Sequence, residues 1–383
     1  MKVVIAIDSF KGSLSTFESG GAVSEALKIV YPDAEAVICP LADGGEGTVA
    51  AIVSATGGNL CKVRVCGPLG QTVTAEYGVI PEKKLAVIEM ASAAGITLIA
   101  SEERNPLLTT TYGVGEMILD AIRKHGCREF IIGIGGSATN DGGVGMLQAL
   151  GFSFLDANGE EIQHGARGLA DLATIRCNDA APELAECEFH IACDVTNPLC
   201  GVRGCSVVYG PQKGATPEMV DEMDACLARY AELTAAATGR EVAQTPGVGA
   251  AGGLGYAFLA YLNATLESGI ELVMRTVDLE AQIKDADVVV TGEGRLDGQS
   301  CMGKAPIGVA KLAKRHSKTV IAFAGCVTED ARDCNAHGID AFFPILQTPC
   351  SLEDAMRIEN AYRNLKNTAE QAFRLIRNYK DVE

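Results

Sequence analysis

A chain of 383 residues, 48% hydrophobic and 21% charged, is long enough for two domains with sizeable cores and has an ordinary globular balance. A formal net charge of −17 argues against a nucleic-acid backbone as partner, and no apolar run approaches the length, about 18 residues, that would span a bilayer. The N-terminus enters a strand pattern with no cationic leader, so the sequence reads as a soluble, cytoplasmic protein with no membrane partner. Fourteen cysteines form no C-x-x-C pair and are expected to be reduced and packed as small hydrophobes.

In chain order, "KVVIAID" has strand length, and Ser15 and Glu18 have the spacing of a capping box opening a helix that Pro32 closes. "AEAVICPL" is a second strand and "GTVAAIVSATGG" a second helix ended by glycines, so a parallel sheet with helical crossovers is expected. "KVRVCGPLGQTVTAEYGVI" and "KLAVIEMA" then suit hairpins better than crossovers. The middle of the chain mixes strands ("EFIIGIG", "FHIACDV") with helices, the longest running from Pro217 to Gly239. From about residue 286 the strand–helix alternation returns with "ADVVVTGEG", "PIGVAKLAKRH", "KTVIAFAG", "DAFFPIL" and a final helix. The expected fold class is α/β with two domains. A three-layer, Rossmann-like domain with a parallel sheet is built from residues 1–69 and 286–383, and residues 70–285 form an inserted mixed α+β domain.

Ligands in open α/β sheets bind beyond the carboxyl ends of strands, so the loops there carry the candidate chemistry. After the first strand come Asp8, Ser9 and Lys11; after the second, Asp43, Gly44, Gly45 and Glu46. After "VVV" come Glu293, Arg295, Asp297 and Lys304. The middle domain adds Ser137, Thr139, Asn140 and Asp141 in "GGSATNDGG", with Asp194 and Asn197 in "ACDVTNPLCG". Glycines let backbone N–H groups approach anions, carboxylates hold Mg²⁺ beside phosphate oxygens, and Lys or Arg offsets phosphoryl charge. Their recurrence at several strand ends points to phosphoryl transfer.

Two look-alikes compete. Residues 298–305, "GQSCMGKA", fit G-x-x-x-x-G-K, but Ala305 stands where a P-loop has its Mg²⁺-binding Ser or Thr. Gly133, Gly135 and Ala138 fit G-x-G-x-x-A, with Asp156 about 20 residues on where a ribose-binding acid would stand, which keeps a nicotinamide-dependent oxidoreductase as a rival reading. Against it, "TNDGG" interrupts the place where the pyrophosphate-binding helix should begin. A sugar-acid binding protein is the non-enzymatic rival.

Taken together and in order, "DSFKGSLS", "PLADGGEGT", "IGIGGSATNDGG", "ACDVTNPL", "GPQKGA", "TGEGRLDGQS" and "GKAPIGVA" resemble the bacterial type-I glycerate kinase family over essentially the whole chain. Ile7 and Gly12 depart from the pattern, which has Pro and frequently Glu there. The resemblance implies ATP-dependent, Mg²⁺-requiring phosphorylation of glycerate by a two-domain protein with a cleft; of the two products open to such an enzyme, 2-phosphoglycerate is favoured over 3-phosphoglycerate as the expectation. Within that reading Asp43 and Glu293 are the expected Mg²⁺ ligands. Lys11, Arg295 and Lys304 are expected to hold phosphate and the glycerate carboxylate, and Ser137, Thr139, Asn140 and Asp141 to line the cleft. Asp194 is the expected general base, with Asp8 and Asp43 as competitors, and Lys11 shares the catalytic role.

Overall fold

The computed structural model describes residues 1–380. It contains two compact units: one comprises residues 1–43, 54–56 and 270 onward, the other residues 44–53 and 57–269. Strands β1 (Lys2–Ile7) and β2 (Glu35–Ile38) begin the first unit. The second unit contains β3 (Asn59–Cys66), β4 (Thr72–Ile80), β5 (Leu85–Glu89), β6 (Glu129–Gly133), β7 (Ser153–Leu155), β8 (Thr174–Arg176), β9 (Glu188–Ala192) and β10 (Ala264–Glu267). Strands β11 (Val288–Leu296), β12 (Thr319–Val327) and β13 (Ala341–Pro344) complete the first.

The first unit is a parallel sheet in the order β13-β12-β11-β1-β2. The strands are apolar almost throughout because helices cover both faces. Helices Thr16–Val30 and Ile358–Lys380 pack together, and Leu27, Leu365 and Phe373 share a core with Ile5, Val290 and Phe323. Helix Ala305–Arg315 covers the other face, against β11 and β12. Ser15 and Glu18 form the capping box that their spacing implies, each bonding the other's backbone. From β1 the chain steps outward to β2, whereas from β11 it steps the opposite way through β12 to β13. The order therefore reverses between β1 and β11, and a crevice opens at their carboxyl ends.

The second unit is a mixed sheet, β10-β9-β6-β5-β4-β3, with its two antiparallel pairings at the β3–β4–β5 end and a separate β7–β8 pair. Its main core is a cluster in which Phe130 stacks on Phe189, Phe258 lies tilted against Phe189, and Tyr256 meets Tyr230 edge-on.

The units depart from the domain boundaries read from sequence. Residues 59–66 pair along their whole length with β4 from Asn59↔Val79 to Cys66↔Thr72, so the second unit begins well before residue 70. Gly44–Val53 joins it too, while residues 270–285 belong to the first unit. A hairpin claims its first strand for the sheet it pairs with, and the Gly-Pro turn after Cys66 lies inside that hairpin rather than between domains.

Candidate active site

In the first unit, the crevice between β1 and β11 opens into a cavity of about 510 Å³, within the usual size range of small-molecule sites. Its lining includes Asp8, Ser9, Lys11, Asp43, Glu293, Arg295, Asp297 and Lys304, contributed by the loops after β1 and β2 and by the end of β11 with the turn that follows it. These eight candidates are therefore gathered in one place, whereas Gly44, Gly45 and Glu46, which the sequence reading assigned to the same domain, belong to the second unit.

Asp8 follows β1 directly, its N–H donating to the Gly292 carbonyl at 3.0 Å. It is buried, and its Oδ1 accepts from the Ser9 N–H at 2.7 Å. Burial, with the negative charge of Asp43 second, pushes its carboxyl up to about 7. Lys11 reaches back to Asp43, Nζ to Oδ2 at 2.8 Å. Burial works to lower the Lys11 pKa, but the hydrogen bond and charge of Asp43, with Asp8 and Glu293 behind them, raise it overall. Gly12 has φ 77°, and a Cβ there would lie 2.8 Å from Met356 Cε. Glycine turns the Lys11 loop this way at no steric cost.

Glu293 sits late in β11, buried, and accepts a short hydrogen bond from the Ser300 hydroxyl. Burial raises its pKa, against the Ser300 bond and Lys304, whose Nζ is 4.0 Å from Oε2. Asp297 shapes the following turn: Oδ1 accepts from Gln299 N–H at 2.9 Å and Ser300 N–H at 3.3 Å, while Oδ2 pairs with Arg295 Nε at 3.2 Å. The G-x-x-x-x-G-K look-alike does lie between a strand and a helix, since β11 ends at Leu296 and the next helix starts at Ala305. That helix N-terminus, with Lys304 at its cap position, borders the cavity and favours anions.

The remaining candidates lie in the second unit. Gly44 has φ 85°, and a Cβ there would be 2.5 Å from the Ala192 Cβ at the end of β9. Gly45 follows, and Glu46 is exposed. Asp194 is exposed beyond β9 and accepts from the Gly269 N–H at 3.0 Å. Asn197 serves its own loop, donating to the Arg203 carbonyl at 2.8 Å and accepting from the Tyr209 hydroxyl at 2.7 Å.

The loop "GGSATNDGG" corrects an expectation. Ser137 is buried, and Thr139, Asn140 and Asp141 have no exposed surface, so these side chains do not line a cleft. Asp141 accepts from Thr111 N–H and Oγ1, both at 2.8 Å, and from the N–H groups of Gly143 and Gly145. Asn140 donates to Ser206 Oγ at 2.9 Å. The exposed part of the loop is Gly135 and Gly136. Ten residues, 134–143, separate β6 from a helix of only 6 residues, so the geometry of a dinucleotide turn is absent.

Two functional-looking side chains escaped sequence reading. Lys213 is buried in "GPQKGA", donates to the Thr139 carbonyl at 2.6 Å, and is pushed down to about 8 by burial. Glu89 ends β5, accepts from the Val49 N–H at 2.9 Å at the start of a helix, and is raised by burial. Glu89 carried the signal that flagged Asp8, a carboxylate closing an apolar strand. The burial of Lys213 had none.

The family model described as "Glycerate kinase family" matches residues 3–377. A glycerate kinase of Haemophilus influenzae is 48% identical over 98% of this chain and 99% of its own length. The glycerate 2-kinase of Escherichia coli is 49% identical over 95% of both. The crystal structure of a chain assigned as glycerate kinase 2 from Salmonella typhimurium LT2 superposes with a TM-score of 0.91 at 48% identity, covering 100% of this chain and 99% of that one. A match of this extent in sequence and fold establishes that the chain is a kinase belonging to the glycerate kinase family.

Proposed function

We propose that this kinase transfers the γ-phosphoryl group of ATP to a hydroxyl of D-glycerate, with 2-phosphoglycerate as the favoured product. The observation that carries the reading is the crevice between β1 and β11, where Asp8, Asp43 and Glu293 stand beside Lys11 and Lys304. Phosphoryl transfer asks a protein mainly to position groups and spread charge, and this set does both. Lys11, Lys304 and the helix N-terminus at Ala305 suit phosphate oxygens, while Arg295 at the mouth suits the glycerate carboxylate. The relative named glycerate 2-kinase, at 49% identity, supports the regiochemistry.

Among the described residues no three His, Cys, Asp or Glu side chains converge as a metal cage. Mg²⁺ does not need one, since it takes one or two carboxylates and fills its shell with water and phosphate oxygens. Asp43 and Glu293 fit that role, as carboxylates that line one cavity with Lys11 and Lys304 beside them. When bound, Mg²⁺ neutralises the phosphate charge.

Asp8 is the group we assign to accept the hydroxyl proton. Asp43 is engaged by Lys11 and Glu293 by Ser300, and a carboxyl near 7 suits a general base at neutral pH. Fourteen cysteines, all free thiols in the structure, suit the reducing cytoplasm. Among the described residues no helix is long and apolar enough to cross a membrane. The test is to incubate the protein with ATP, Mg²⁺ and D-glycerate, follow ADP release, and assign the product isomer by ³¹P NMR. ADP formation that depends on both glycerate and Mg²⁺ is expected. Its absence, or a product phosphorylated at the 3-hydroxyl, overturns the corresponding part of the reading.

A further inference from the structure

The cavity of the first unit has two chemically distinct ends. Charged groups cluster where β1, β2 and β11 end. Toward β12 and β13 the wall consists of Gly325, Cys326, Ile345, Leu346, Leu352 and Met356, none with a charged side chain. Leu346, Leu352 and Met356 are 41%, 75% and 36% exposed, which is unusual for large apolar side chains beside a charged site.

The short helix Leu352–Met356 explains how this wall is presented. Ser351 caps it, its hydroxyl accepting from the Asp354 N–H at 3.1 Å. Positions 352, 355 and 356 have i, i+3, i+4 spacing and all three line the cavity. Glu353 and Asp354 are instead engaged by Arg357, at 3.5 and 3.4 Å. Near Met356 Cε passes Gly12, so the apolar wall meets the Lys11 loop without a gap for a side chain.

We propose that this apolar wall is the seat of the purine ring of the nucleotide, with the triphosphate running from it toward Lys11 and Lys304. The inference rests on the kinase reading above and adds the direction in which the nucleotide lies. Glycerate has a polar group on every carbon and cannot cover three aliphatic side chains. A purine offers two flat apolar faces joined through a ribose to a polyanion, which matches a cavity aliphatic at one end and cationic at the other. The wall is built on the same unit as the phosphate-binding loops, as one continuous ligand requires.

Photolabelling with 8-azido-ATP, followed by peptide mapping, tests the placement directly. Label within residues 345–361, competed by ATP and not by glycerate, is expected. Leu352→Asp provides the second measurement, at a side chain exposed enough for the fold to tolerate the change. It should raise the KM for ATP and the Kd for ADP by roughly tenfold or more, leave the KM for glycerate within about twofold, and be rescued by Leu352→Met. Label elsewhere in the chain, or an unchanged ADP affinity in Leu352→Asp, overturns the placement, as does a change in oligomeric state with unchanged nucleotide affinity. If the protein takes label here and binds ADP yet never phosphorylates glycerate, the functional reading fails while the placement stands. Glycerate phosphorylation with label elsewhere gives the reverse.

Discussion

Asp8 and Asp194 divide the residue-level question of which carboxylate moves the proton. Asp8→Asn should lower kcat by roughly two to four orders of magnitude with both substrates still bound, whereas Asp194→Asn should cost less than tenfold. Steady-state kinetics of the two variants decide between them, and the reverse ranking returns the role to Asp194. Asp8 also has a signature in stability. Its pKa is raised from 3.8 to about 7, so the folded state holds its proton more tightly than the unfolded chain does. The stability this contributes is complete below pH 3.8 and is lost as pH rises through 7. Asp8→Asn should therefore melt above the parent at pH 8, with the gap closing by pH 4. A gap that is the same at both values would mean that folding does not raise the Asp8 pKa. Asp141 has a structural role instead, because four hydrogen bonds converge on its buried carboxyl. Asp141→Ala should cost about 3 kcal/mol, or roughly 10 °C in Tm, while the protein that remains folded keeps near-normal KM values. A variant with native Tm and lost substrate affinity would restore the loop to the binding surface.

At the scale of elements, the turn after β11 joins structure to chemistry. Ser300 there fixes Glu293, and Asp297 fixes Ser300. Ser300→Ala should raise the Mg²⁺ concentration for half-maximal activity several-fold with little loss of Tm, which a Mg²⁺ titration of the rate would read. An unchanged titration curve would remove Glu293 from metal binding. Elements of this kind were legible in the sequence because their signals are local: the capping box at Ser15 and Glu18, the Pro217–Gly239 limits of the long helix, and the carboxylates that close β1 and β11. Burial was not legible, since it depends on what arrives from elsewhere in the chain. "GGSATNDGG" reads as an exposed polar loop until Thr111, Ser206 and Lys213, from 30 to 74 residues away, are seen to close around it. The apolar wall escaped for a related reason. Leu346, Leu352 and Met356 have the composition of ordinary core residues, and only their exposure beside a charged crevice sets them apart.

For the whole molecule, the contrast between the two units is one of connectivity. The second is nearly continuous in sequence and encloses its own aromatic core, so residues 44–269 expressed alone should fold and melt cooperatively without kinase activity. A fragment with no cooperative transition by circular dichroism would show that its core depends on the rest of the chain. The first unit has no such independence, because β1 lies between β2 and β11, and β11 is encoded more than 240 residues after Asp43. On a ribosome working at about 5–20 residues per second, that strand waits roughly 12–50 s for its neighbour. Until then one edge of a strand that is apolar from Val3 to Ile7 is open, a site for chaperones and for pairing with other nascent chains. A chain cut short between residue 269 and β11 thus yields a finished second unit tethered to a sticky, unfinished first one, and such a product is a substrate for proteases rather than a weak enzyme.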